Sequence, residues 1–113
     1  MTPVDACALW SDPALVREEG TFEVVERIRD SSRDGLYLWR CTECGLLYAV
    51  DFREMEEWTD GVDAMCSTYV PVQDKAHLAA LRDAEPGFKL AAQRPCIQWH
   101  TVAGRPERLR WVR

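Results

Sequence analysis

At 113 residues and a net charge of −5, the chain has room for one hydrophobic core and not for two. Its 47% hydrophobic and 29% charged residues are typical of a folded globular domain, which excludes a disordered tail, a coiled coil or a collagen-like repeat. The acidic balance disfavours non-specific nucleic-acid binding, and no stretch of the sequence approaches the length of a membrane span.

The opening MTPVDACALW has no basic segment followed by a long apolar run, so no secretory signal is expected and the cytoplasm is the expected compartment. There the five cysteines, Cys7, Cys41, Cys44, Cys66 and Cys96, would be kept reduced. Their odd number also argues against a complete disulfide framework.

In chain order, SDPALVREEG predicts a short helix with Ser11 or Asp12 as cap, Pro13 in the first turn and Gly20 as stop. TFEVVERIRD alternates as a half-buried strand, with Phe22, Val24 and Ile28 on one side and a break at Glu26. Asp34-Gly35 is a tight-turn signal. Strands then follow from Leu36 to about Cys41 and from Leu46 to Phe52, with the CxxCG between them as a hairpin turn. The acidic run DFREMEEWTDG reads equally as strand end, helical turn or loop. STYVPV predicts a strand end or sheet edge at Pro71. QDKAHLAALRDAEPG predicts the main helix, capped by Asp74, packed through Leu78, Ala80, Leu81 and Ala84, and ended by Pro86-Gly87. PCIQWHTV and RLRWVR predict a last hairpin across the AGRP turn. The expectation is a single domain over residues 1–113. Its fold class is α+β: a mainly antiparallel sheet, one substantial helix and a zinc-ribbon-like β-hairpin.

The pair Cys41 and Cys44 carries the chemistry. A tight CxxC turn brings two thiolates to one ion with backbone amides aimed at the sulfurs, and Gly45 permits the backbone such a turn needs. A thioredoxin-like redox motif needs a helix behind the first cysteine, whereas GLLYAVDF is a strand pattern. An unused pair of small side chains in a hairpin is the third reading. The stretch CTECGLLY, residues 41–48, resembles the C-x-x-C-G-x-x-Y knuckle of rubredoxins and zinc ribbons, which implies metal held by Cys41 and Cys44. The second knuckle of those families has no counterpart, so the resemblance implies a structural zinc rather than rubredoxin-type electron transfer. Cys7 is the first candidate for a third ligand. Cys66 and Cys96 are preferred over His100 for a fourth, since four-sulfur sites are common for structural zinc. The order of hairpin, acidic stretch, STYVPV and terminal RWV is also similar to small bacterial proteins of the immunity type.

Residues 51–63 carry six carboxylates and only Arg53, whereas residues 94–113 carry five arginines and only Glu107. Trp58 stands in the acidic run away from any evident core face. With Glu56, Glu57 and Asp60 it is therefore the expected contact for a protein partner with a basic surface. Trp99 and Trp111 read as core residues of alternating strands. No catalytic residue is expected: the nucleophile, P-loop and metalloprotease motifs are missing, His77 has no nucleophile at a telling spacing, and Glu56 and Glu57 are adjacent. The expected function is a cytoplasmic, non-enzymatic protein-binding module with a structural zinc. A redox protein using Cys41 and Cys44, and a nucleic-acid contact through the C-terminal arginines, are the alternatives.

Overall fold

The computed structural model describes residues 3–30, 34–57, 62–83, 90, 92–102 and 106–113, with the backbone alone at 34, 55–57, 62 and 63. Six strands, β1 (Phe22–Asp30), β2 (Asp34–Cys41), β3 (Leu47–Glu57), β4 (Val62–Pro71), β5 (Cys96–Val102) and β6 (Arg108–Val112), form one antiparallel sheet in chain order. Among the described residues the helical elements are α1 (Ala8–Ser11), α2 (Lys75–Asp83) and 3-10 turns at Val4–Ala6 and Pro13–Arg17, and Leu90 is also helical. The fold is thus nearly all sheet, which corrects the α+β expectation. The predicted main helix is seen as α2 over Lys75–Asp83, nine residues beside six strands, and the acidic run continues β3 as far as Glu57. Trp58, Asp60 and the Pro86-Gly87 stop lie outside the described residues. No helix among the described residues is long and apolar enough to cross a membrane.

Strand alternation divides the side chains between two faces. The register places Tyr37, Trp39 and Cys41 of β2 on the same face as Tyr48 and Val50 of β3, Tyr69 of β4 and Ile97 of β5. The N-terminal segment covers one end of this face with Cys7, Leu9 and Val16. Leu9 is fully buried, a contribution of about 2 kcal/mol. Its carbonyl accepts a 2.7 Å hydrogen bond from Trp111 Nε1, and the rings of Trp10 and Trp111 lie 5.0 Å apart. On the opposite face, Leu36, Leu38, Ala49, Val70 and Cys96 pack under Leu81 of α2 and under Leu90. The first turn of α2 is fixed by Asp74, whose Oδ1 accepts from the His77 N–H at 2.8 Å.

Two local expectations change. Asp34 and Gly35 open β2 rather than forming a turn, and Gly35 pairs with Asp30 and Phe52. A Cβ at Gly35 would lie 2.5 Å from the Tyr37 hydroxyl, so glycine leaves the space in which that hydroxyl donates to Asp30 Oδ1 at 3.0 Å. In β1, register shifts between Val24 and Glu26 and between Arg27 and Arg29 break the simple alternation. Ile28 consequently packs on the α2 face while Phe22 packs on the other.

Candidate metal centre

The CxxCG stretch connects β2 to β3. Cys41 N–H donates to the Leu46 carbonyl and Gly45 N–H to the Cys41 carbonyl, both at 2.9 Å. Gly45 has φ +79°, a conformation that glycine adopts without the Cβ penalty of other residues. The turn is also anchored from outside: the Thr42 N–H donates to the Thr21 carbonyl at 3.0 Å and its hydroxyl to the Gly20 carbonyl at 2.6 Å. Within it, the N–H groups of Cys44 and Glu43 bond the Cys41 sulfur, and that of Leu46 bonds the Cys44 sulfur. This is the amide-to-sulfur pattern of a metal-binding knuckle.

Cys7 arrives from the other direction. It ends the first 3-10 turn, its N–H donating to the Val4 carbonyl at 3.2 Å, and it starts α1, its carbonyl accepting from the Trp10 N–H at 2.9 Å. The packing of Leu9 and the Trp111 hydrogen bond hold this segment against the sheet, which carries Cys7 to the knuckle. The Tyr48 hydroxyl donates to Cys7 Sγ at 3.3 Å from a fully buried ring. The sulfurs of Cys7, Cys41 and Cys44 all lie within 4.8 Å of one another, close enough to hold a metal ion. Tetrahedral zinc, with sulfur at about 2.3 Å, sets sulfurs about 3.8 Å apart. Side-chain adjustments of about 1 Å reach that geometry.

The electrostatics of the three sulfurs favour a nearby cation. Burial alone would raise the Cys41 thiol, but the Cys44 and Glu43 N–H groups together with hydrogen bonds from the Cys44 and Cys7 side chains outweigh it and hold it below its ordinary value. Burial pushes Cys44 up to about 12, helped by the neighbouring Cys7 and Cys41 sulfurs. Burial also raises the Tyr48 hydroxyl, and its bond to Cys7 adds to the effect. Three clustered sulfurs resist losing a second proton unless a metal ion supplies the missing positive charge.

Cys66 and Cys96 do not join the cluster. Cys96 is in the core under α2, and Cys66 has the parity of Thr68 and Val70, facing the same side. His100 lies opposite Cys66 and shares the alternation of Cys96. The sheet therefore stands between these three candidates and the knuckle. The helix that a thioredoxin-type dithiol needs is also missing, since the turn leads directly into β3.

Of the expected partner contacts, Glu56 and Glu57 lie on β3 opposite Asp63 and Val62. β2 ends opposite Arg53 and β5 opposite Ala64, so the tip of the β3–β4 hairpin extends past both neighbouring strands among the described residues. It carries Glu54, Glu56, Glu57 and Asp63. Two features escaped the sequence reading. One is the role of Tyr48 at Cys7. The other is a cavity of about 460 Å³ lined by Tyr37, Trp39, Phe52, Tyr69 and Trp99, whose shared parity emerges only when four strands are placed in register.

Fold and site together define a six-stranded antiparallel meander with one three-cysteine knuckle at the edge of its larger aromatic core. No protein-family model, curated protein or solved structure matches the chain.

Proposed function

We propose that the chain is a small, non-enzymatic binding protein stapled by one metal ion, zinc in the resting protein, at Cys7, Cys41 and Cys44. The observation that carries this reading is the convergence of the three sulfurs within 4.8 Å, with backbone N–H groups aimed at two of them. The ion would tie the N-terminal segment to the β2–β3 turn, joining parts of the chain more than thirty residues apart. The three thiolates would supply three of the ion's ligands, and the fourth would come from outside this cluster.

The binding partner is a protein with a basic surface, met by the projecting acidic hairpin, as in an immunity or inhibitor-type protein. The extension of β3 and β4 beyond their neighbours supports this reading, because an acidic arm steers a basic partner and repels acidic ones. Elemental analysis of the purified, reduced chain tests the metal: one zinc per chain is expected, and Cys7→Ser and Cys41→Ser should each abolish stoichiometric binding. Zinc retained by both variants would refute the site. Partner capture by the wild type that survives the combined change Glu56→Lys, Glu57→Lys and Trp58→Ala would refute the acidic arm.

A further inference from the structure

We propose, resting on the metal reading above, that the Cys7, Cys41 and Cys44 site takes up a trivalent thiophilic metalloid of the arsenite type and yields its zinc to it. The ligand count is the first argument. All five cysteines and both histidines are among the described residues, and three sulfurs alone converge. Cys66, Cys96 and His100 belong to the other face of the sheet. His77 is held on α2 by Gln73 N–H, which donates to its Nδ1 at 3.0 Å. No described carboxylate joins the three sulfurs. Zinc closes a structural site with four ligands, whereas a trivalent metalloid is complete with three sulfurs on one side and its lone pair on the other.

Charge is the second argument. Three thiolates carry three negative charges, and Cys7 and Cys41 are each only 2% exposed. Neutral groups bond the sulfurs, among them the N–H groups of Glu43, Cys44 and Leu46 and the Tyr48 hydroxyl. A monovalent ion leaves two uncompensated charges, a divalent ion one, and a trivalent ion none, which is the cheapest state to bury. Access is the third. A cleft of about 160 Å³ between Leu15, Gly20 and Thr21 on one side and Cys41 and Thr42 on the other reaches the knuckle, with room for a small neutral hydroxide such as arsenous acid. In the reaction, three As–O bonds break and three As–S bonds form. From the zinc-loaded site the three Zn–S bonds break as well and zinc leaves as the aqueous dication; the three hydroxides take up three protons from solvent and leave as water, and no electron is transferred.

The test uses the full-length, reduced chain loaded with zinc and titrated with arsenite, with a zinc indicator, intact mass and alkylation mapping as readouts. The expected result is one zinc released per arsenite bound, one arsenic per chain, and protection of Cys7, Cys41 and Cys44 with Cys66 and Cys96 still alkylated. Cys44→Ser alters a partly exposed turn residue and should weaken arsenite binding at least about tenfold with an unchanged circular-dichroism spectrum. Cys66→Ser and Cys96→Ser should bind as the wild type does. Zinc that stays bound at one per chain in a large excess of arsenite overturns the proposal and leaves the metal reading standing. Displacement of zinc by Cu(I) but not by arsenite also overturns it. Failure to bind either zinc or arsenite overturns both.

Discussion

Removing the Tyr48 hydroxyl separates a role at the metal centre from a role in packing. The ring is fully buried and its hydroxyl donates to Cys7 Sγ at 3.3 Å, so Tyr48→Phe deletes one donor with almost no change of volume. Without metal, Cys7 is a thiol and a weak acceptor, and the lost bond costs about 1 kcal/mol of stability. With metal, the acceptor is a thiolate, and a hydrogen bond to a charged group is worth about 2 kcal/mol. The difference of about 1 kcal/mol is loss of metal affinity, a factor of about five. Competition of zinc-loaded protein against a chromophoric chelator measures that factor, and urea unfolding of the metal-free protein measures the first cost. If Tyr48→Phe loses stability while zinc affinity stays within experimental error of the wild type, Tyr48 is a packing residue and the argument for its part in the site fails.

Other consequences are equally direct. Leu9→Ala, at a fully buried position beneath the segment that carries Cys7, should destabilise the protein by about 2 to 5 kcal/mol and weaken zinc binding in parallel, read by urea titration with and without zinc. Gly45→Ala should cost about 1 kcal/mol through its φ of +79° alone, because an added Cβ meets nothing within 4 Å. Gly35→Ala acts through contact instead, pushing Tyr37 off Asp30, which a changed Tyr37 ring signal in NMR would register. Burial holds the Tyr69 hydroxyl up to about 12, so the unfolded chain loses this proton first as pH rises above about 10. Tyr69 thus contributes its full stability below about pH 10 and loses about 2 to 3 kcal/mol of it by about pH 12, and Tyr69→Phe should flatten that part of an alkaline denaturation curve.

What the sequence disclosed depended on how local the controlling interaction was. The hairpin around Cys41 and Cys44 was legible because Gly45 and the alternation on either side determine it within a dozen residues. Cys7 was legible only as one candidate among several. Its arrival at the knuckle depends on Leu9 and on Trp111, which is a hundred residues away in the chain. Cys66 and Cys96 looked equally eligible because alternation within one strand does not say which face it shares with another. The pairing of Tyr69 with Val50 and with Ile97 decides that, and it turns both cysteines away. The acidic run was ambiguous for a different reason. Glu54 to Glu57 lack the alternation of a half-buried strand, yet they pair with β4 along an arm that has no further strand on either side among the described residues. Asp34-Gly35 had the composition of a turn, but the space needed by Tyr37 accounts for that glycine.

The hydrogen bond from Trp111 to the Leu9 carbonyl also orders events during synthesis. All three knuckle cysteines leave the ribosome with the first 44 residues, long before β6 exists. A metal ion captured by the nascent chain would hold the N-terminal segment over β2 and β3 while the later strands are added one by one. With such a capture, Trp111 would latch a segment already in position, and the entropy of closing a hundred-residue loop would be divided between an early metal-dependent step and a late one.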